Sequence, residues 1–166
     1  MALWKNGRFE ADGFVTVADE APLPDGPVLV SLKRFLAERE VLLARNTPLG
    51  LLLQPADRLE AISPDLPRLA LLALAFPKFA DGRAFSLARL ARERYGFAGE
   101  LRAVGDILFD RIAYMRRCGF DSLDISNGPT LTALQAGHVP GAHEYYQPTG
   151  KDGADVDDLK PWRRHA

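Results

Sequence analysis

Residues 77–86 bring together the side chains of this chain that could most readily do chemistry. The segment holds two cations, Lys78 and Arg83, with the carboxylate Asp81 and the hydroxyl Ser86. It leads into a predicted helix, whose N-terminus presents free backbone N–H groups and the positive end of its dipole to an anion. Lys78, Arg83 and Ser86 are therefore candidate ligands for a small oxyanion or a carboxylate. The same residue types also form turns and helix caps, which leaves a structural role for Asp81, Arg83 and Ser86 open.

Asp106 joins Asp81 as a candidate catalytic carboxylate. It follows Gly105 at the end of a predicted strand, in the strand-to-helix connection next to the one that holds Asp81. In parallel α/β sheets these connections surround the ligand site, and two carboxylates there could act as general acid and base. Asp106 would equally serve as the N-cap of a helix that begins at Ile107. Catalysis and capping both remain open for this side chain.

Arginines are concentrated in one part of the chain. Positions 83 to 117 contain eight arginines against four acidic residues. Most are predicted on solvated helix faces, Arg89 and Arg92 among them. Arg111, by contrast, falls on the apolar face of a predicted helix, and Arg102 lies inside a predicted strand. Each of these two either forms a structural ion pair or binds an anion, so both are candidate ligand-binding residues.

Cysteine and histidine offer little for catalysis or metal binding. Cys118 lies on the same apolar helix face as Arg111 and is predicted to be a buried small side chain, not a nucleophile. His138, His143 and His165 lack metal-ligand spacing with any cysteine or carboxylate set. The sequence contains no nucleotide-binding glycine motif, nucleophile elbow or dithiol pair. It therefore predicts no metal and no cofactor, and it leaves open whether the protein is an enzyme.

The charge balance and the apolar runs exclude two classes of protein. The chain has 166 residues, with 21 basic and 22 acidic side chains and a formal charge of −1. That balance lacks the basic excess of a dedicated nucleic-acid-binding protein. The first residues lack the charged and apolar regions of a secretory signal, and the longest apolar runs are far shorter than the roughly twenty residues of a membrane span. A cytoplasmic protein that binds neither nucleic acid nor membrane is predicted.

The elements that must position these residues alternate between apolar runs and amphipathic segments. Strands are predicted over residues 28–30, 49–53, 69–76, 100–104 and 120–125, and helices over residues 32–46, 57–62, 85–95 and 107–118. Strands without strict polar alternation, each separated by a helix, indicate an α/β fold with a parallel sheet of repeated βα units, covered on both faces. The handedness of such crossovers leaves two architectures open, an open doubly wound sheet and a partial βα barrel.

The chain is predicted to form one α/β domain over residues 1–147. Asn6-Gly7, between two short segments, predicts a small antiparallel hairpin within residues 1–18 at an edge of the sheet. The βα core follows over residues 28–147. Residues 148–166 are rich in acids and glycine and have no periodicity, so they are predicted to be a mobile tail.

Several strings of the chain resemble one bacterial family, the domain-of-unknown-function family nine-three-four. The strings are residues 63–71, 76–86, 94–106 and 116–121. The resemblance covers roughly residues 28–147. Members of that family lie beside the genes of the sulfite reductase haemoprotein in sulfate-assimilation clusters, so the resemblance implies a role in assimilatory sulfite reduction. It implies no catalytic residues, and the label oxidoreductase often given to the family has no cofactor motif behind it here.

Two functions follow from the resemblance and the residues together. The first is an accessory protein that acts with sulfite reductase, by docking to it or by helping to deliver electrons or substrate. The alternative is a small βα enzyme or oxyanion-binding module with its site at the carboxyl ends of the strands. That alternative would use Asp81, Arg83, Ser86, Arg102 and Asp106.

Overall fold

The computed structural model describes residues 2–77, 81–138 and 140. Strands β1 to β8 span Ala2–Lys5, Arg8–Glu10, Val15–Thr16, Val28–Ser31, Leu49–Leu53, Leu71–Phe76, Glu100–Gly105 and Ser122–Ile125. Helices α1 to α5 span Leu32–Ala37, Arg39–Leu43, Arg83–Arg89, Ile112–Arg117 and Gly128–Gln135. Short 3₁₀ turns lie at Leu59–Ile62, Leu66–Arg68 and Phe109–Arg111, and a π turn at Leu90–Arg94 continues α3.

The eight strands of the described residues form one mixed sheet in the order β2-β1-β8-β7-β6-β5-β4-β3. Strands β3 to β8 run parallel, and β1 is antiparallel to both β2 and β8. The turn between β1 and β2 has φ values of 53° at Asn6 and 80° at Gly7, which suit a two-residue hairpin. The predicted N-terminal hairpin is thereby confirmed, while β3 lies at the opposite edge of the sheet.

The connection between β2 and β3 shows that the sheet is curled. Glu10 and Val15 are joined by five peptide units, which reach about 18 Å at most. The two edges of a flat eight-stranded sheet would stand about 34 Å apart. Because residues 11–14 nevertheless join the two edges, the sheet bends into a half-barrel. We call residues 11–14 the strap.

The five helices of the described residues all pack on one face of the sheet. They contribute Phe35, Leu42, Ala88, Met115 and Leu134 to a single buried core. The order of β3 to β8 never reverses, and successive right-handed crossovers in one direction place every helix on the same side. The prediction that helices cover both faces is therefore wrong for the described residues, and the doubly wound alternative is not confirmed.

The opposite side of the sheet, which we call the inner face, is covered differently. Leu29, Leu71 and Ala73 form a small separate cluster there, and Phe14 of the strap packs against it. Side chains alternate between the two faces along each strand. In β7 this places Leu101 in the main core and its neighbours along the strand on the inner face.

Several predicted helices are shorter or broken. The predicted helix over residues 32–46 divides at Glu38 into α1 and α2. The predicted helix over residues 107–118 becomes a 3₁₀ turn followed by α4, which begins only at Ile112. The apolar run at residues 69–76 is a strand, as predicted. The predicted tail lies outside the described residues, as do His143 and His165. None of the helices described is long and apolar enough to cross a membrane.

Candidate functional site

The segment before α3 is closed by a local ion pair. Asp81 accepts hydrogen bonds from Nη2, Nε and the backbone N–H of Arg83 at 2.7, 3.0 and 3.1 Å. The Arg83 hydrogen bonds lower the pKa of the Asp81 carboxyl below its ordinary value. Ser86 is exposed within α3 and not at its N-terminus, which begins after Gly82. Lys78 lies outside the described residues. For Asp81 and Arg83, the hydrogen bonds between them show the turn-forming role.

The Arg83→Ala variant tests whether this segment binds an oxyanion. Because Asp81 already neutralises Arg83, saturating sulfate or sulfite should shift the Tm of the wild type and of Arg83→Ala equally. Without ligand, loss of this exposed pair should move the Tm by less than about 2 °C. Differential scanning fluorimetry in both anions measures the two shifts. A rise in Tm with the anion that occurs in the wild type but not in Arg83→Ala would show that the segment binds the anion.

Asp106 does not cap a helix in the structure. The 3₁₀ turn after it begins only at Phe109. Asp106 instead accepts a long hydrogen bond of 3.4 Å from Nδ2 of Asn127, which follows β8. Beside it, Ser126 Oγ donates to the Gly105 carbonyl at 3.0 Å. The prediction that Asp106 caps a helix at Ile107 is therefore wrong, and no hydrogen bond or ion pair joins Asp106 to Asp81 in the described part of the chain.

Arg102 is the centre of a polar cluster on the inner face of the sheet. Its side chain is only 2% exposed. Its Nε and Nη2 donate to Glu100 Oε1 at 3.0 and 2.8 Å, and Nη1 donates to Asp12 Oδ2 of the strap at 2.8 Å. The guanidinium also lies over the Phe14 ring, 5.7 Å from its centroid. Of the two roles left open for Arg102, the structure shows the structural ion pair.

Glu100 is fully occupied within this cluster. Besides the two Arg102 hydrogen bonds, Oε1 accepts from Ser122 Oγ at 2.6 Å, and Oε2 accepts from Lys5 Nζ at 2.6 Å. Burial raises the pKa of Glu100, but the hydrogen bonds from Lys5, Ser122 and Arg102 outweigh it and lower that pKa below its ordinary value. Glu100 is therefore held as a carboxylate that ties β1, β7 and β8 together.

Asp124 faces the same cluster but is held differently. It lies two residues beyond Ser122 on β8 and therefore on the same face of the sheet. Burial raises its pKa, the charge of Asp12 adds to this effect, and the charge of Arg102 opposes it. Among the described residues its carboxylate has no hydrogen-bond partner. The carboxyl of Asp124 therefore binds its proton more tightly in the folded state than in the unfolded state.

We expect Asp124→Asn to be more stable than the wild type at neutral pH. A raised folded pKa stabilises the fold while the carboxyl is protonated, and this contribution is lost as the pH rises through that pKa. The advantage of the variant should therefore appear between acidic and neutral pH and vanish near pH 3. Urea unfolding at pH 3 and pH 7 measures it. A variant that is less stable at pH 7 would contradict the assignment.

The remaining predicted residues fall outside this cluster. Arg111 is partly exposed at the junction between the 3₁₀ turn and α4. Its predicted place on a buried apolar face is wrong, because the helical wheel assumed one continuous α-helix from Ile107. Cys118 is buried, as predicted, and burial raises the pKa of its thiol. Sequence reasoning missed Asp12, Lys5 and Asp124 altogether.

One signal in the sequence could have revealed part of the cluster. Glu100 and Arg102 alternate with apolar residues in a strand, so they must share one face of the sheet. A charged pair on one face of a central strand predicts further polar partners on the neighbouring strands. The Asp12 partner lies 90 positions away in the sequence and has no such signal.

One family of known proteins matches a part of the chain that includes some residues of the cluster. The family profile described as "Bacterial protein of unknown function (DUF934)" matches residues 50–156, more than half of the chain. This confirms the resemblance seen in the sequence. The match includes Glu100 and Arg102 but not the hairpin or the strap. No curated protein and no solved structure shows significant similarity to the chain.

Proposed function

Because the chain belongs to the bacterial family DUF934, we propose that it is an accessory protein of assimilatory sulfite reduction that acts with the sulfite reductase haemoprotein. The observation that carries the proposal is the family match over residues 50–156. The link from that family to sulfite reductase is the gene neighbourhood that the resemblance implies. The proposal places the protein in the cytoplasm, where the reductase would be its partner.

The geometry of the strand ends favours an accessory role over catalysis there. Arg83 is neutralised by Asp81, and Asp106 is engaged by Asn127. Arg102, the third residue of β7 and not at its carboxyl end, lies between two carboxylates of its own chain. Because these groups are already engaged within the chain, turnover of a substrate by them would first require one of the contacts to open. A contribution through protein contact fits this arrangement better.

Genetics tests the proposed step of metabolism. Deletion of the gene from a bacterium that encodes this chain should impair growth on sulfate or sulfite as the sulfur source and leave growth on sulfide normal, because only the reduction of sulfite is affected. Expression of the full chain from a plasmid should restore growth. Equal growth of the deletion strain and its parent on sulfite would overturn the proposal.

Direct contact is tested with the tagged full chain. Purification from the native extract at moderate salt should recover the reductase in stoichiometric amount, followed by its haem absorbance and by mass spectrometry. The purified haemoprotein should then bind the purified chain without other components. Recovery of no reductase, in an extract where the reductase is shown to be present, would contradict the contact.

Exposed apolar side chains on two helical surfaces offer matched variants for locating the contact. Leu36 and Val41 are 51% and 62% exposed on α1 and α2, and Tyr114 is 47% exposed on α4. Tyr114 is held by Phe85, with ring centroids 4.9 Å apart. Aromatic and large apolar anchors dominate protein interfaces. Changing each of these three residues to serine, one at a time, should weaken binding only on the surface that contacts the reductase, with the other surface as the control.

A further inference from the structure

The strap ties an exposed carboxylate to a buried arginine. The Asp12 side chain is 35% exposed, whereas the Arg102 side chain to which it is bonded is 2% exposed. Ala11 and Gly13, on either side of Asp12, are exposed as well. Asp12 therefore separates the Nη1 end of the Arg102 guanidinium from solvent. Displacement of the strap would open a direct path to that nitrogen.

Within the described ranges, a few contacts hold the strap in place. The Asp12 carboxylate accepts from the Phe14 backbone N–H at 3.0 Å and from Arg102. Phe14 packs on the small cluster of the inner face, not on the main core. The strand that follows, β3, has only two residues, and both are exposed. Strap opening would thus leave the main core and the other strands intact.

Of the two other carboxylates of the cluster, Asp124 makes no hydrogen bond to Arg102 in the described part of the chain, and Glu100 is held in place when the strap opens. Glu100 has both oxygens engaged, by Arg102 and Ser122 on one side and by Lys5 on the other. It cannot move to Nη1 without giving up those bonds. Loss of an acceptor by a buried guanidinium costs free energy. Another anion that takes the position of the Asp12 carboxylate would remove that cost. The charge of that anion would replace one that the cluster already accommodates.

We propose that the strap is a latch over an oxyanion-binding site on the inner face, in which the Asp12 carboxylate occupies the place of a small oxyanion bound to Arg102. The planar guanidinium presents N–H groups in a geometry suited to carboxylates and oxyanions, and Asp12 exploits that geometry from within the chain. A ligand that binds only the open form multiplies the ratio of open to closed molecules. The factor is one plus the ligand concentration divided by its Kd. The latch is independent of the proposed partner and of the segment before α3.

Hydrogen exchange in the full-length wild type is the first test. Sulfite and sulfate should accelerate exchange of the Phe14 and Val15 amides in a saturable way, and sodium chloride at equal ionic strength should not. The Phe14 N–H donates to Asp12 at 3.0 Å, and the Val15 N–H donates to the Pro27 carbonyl at 3.1 Å. Mass spectrometry of peptides covering residues 11–17 measures the rates. No acceleration by either oxyanion would overturn the latch.

Asp12→Asn tests the internal carboxylate with little change of shape. The variant should exchange the strap amides about tenfold faster, because it loses the charge-assisted bond to Arg102. It should also bind sulfite at least tenfold more tightly than the wild type in isothermal titration calorimetry. Asp81→Asn removes a carboxylate from an exposed arginine pair and is the matched control, expected to change neither quantity. Faster exchange without tighter sulfite binding would overturn the oxyanion site.

Arg102→Lys in the Asp12→Asn background tests the receiving group. Lysine keeps the positive charge but lacks the planar set of N–H donors of the guanidinium, so sulfite affinity should fall at least tenfold. Sulfite binding that persists undiminished would place the anion elsewhere and overturn the assignment. If the double variant does not fold, the anion dependence of strap exchange in the wild type decides the proposal by itself.

Discussion

Replacing Arg92 by alanine is expected to lower the free energy of unfolding by about 3–4 kcal/mol, because the change removes a largely buried cation from several carbonyls and a carboxylate. The same change at Arg89 should cost no more than about 0.5 kcal/mol, since Arg89 forms only an exposed pair with Glu93, one helical turn away. Both residues are arginines of the same helical segment, so each substitution controls for the other.

The contacts of Arg92 explain the size of the expected effect. Its side chain is 10% exposed. Nε donates to the Gly119 carbonyl at 3.1 Å, and Nη1 donates to the Gly99 carbonyl at 2.9 Å and to the Phe97 carbonyl. Nη2 pairs with Asp121, whose carboxylate also accepts from the Leu101 backbone N–H. Arg92 therefore fastens the segments before β7 and before β8 to the end of α3.

Urea unfolding of Arg92→Ala and Arg89→Ala, compared with the wild type, measures the difference. Equal m-values in the three proteins would show that the comparison concerns stability and not a change in the unfolded state. A loss of less than about 1 kcal/mol for Arg92→Ala would mean that water replaces the guanidinium at those carbonyls without penalty. The assignment of Arg92 as the link between the two segments would then fail.

The sequence could not separate these two arginines, because the helix that carries them changes its period. An α-helical wheel predicts both on a solvated face. The structure instead contains a π turn, in which the Tyr95 N–H donates to the Leu90 carbonyl, five residues earlier. The wider turn rotates the residues around it relative to an α-helix. Arg89 is solvated as predicted, whereas the prediction for Arg92 is wrong.

Local patterns did predict the elements that depend on local chemistry. Asn6-Gly7 favours positive φ and therefore predicts the hairpin. The apolar run of β6 is predicted as a strand because a proline and a loop follow it. Curling of the sheet was one of two alternatives. It could not be chosen from the sequence, because it depends on which strands meet, and the short strap alone forces the two edges together.

The candidate site shows the same division between local and distant information. The Asp81–Arg83 pair joins neighbours in the sequence, and the residue types of this segment favour a turn there. Arg102 was predicted to meet an acid or an anion, yet its two acids differ in kind. Glu100 lies two positions from Arg102 on the same strand, whereas Asp12 reaches Arg102 from the strap, 90 positions earlier in the sequence. Only the three-dimensional arrangement brings the strap and β7 together.

Replacing Gly105 by alanine is expected to lower the free energy of unfolding by about 3 kcal/mol or more. Gly105 has φ of 118°, a conformation that side chains with a Cβ rarely adopt. A Cβ there would lie 2.6 Å from the Phe76 carbonyl oxygen, which belongs to the backbone of β6 and already accepts from the Asp106 N–H at 3.0 Å. The ends of β6 and β7 would have to separate, and that hydrogen bond would weaken.

Gly7→Ala is the matched control, because it also places a side chain at a positive φ but without the close contact. Gly7 has φ of 80°, and a Cβ there would meet no heavy atom within 4 Å, so the change should cost about 1 kcal/mol. Thermal and urea unfolding of the two variants isolates the contribution of the contact between β6 and β7. The Gly105 carbonyl also accepts from Ser126, so its displacement would move the end of β8 as well. Equal losses in the two variants would mean that the strand ends can separate freely and that close packing at Gly105 does not set the geometry around Asp106.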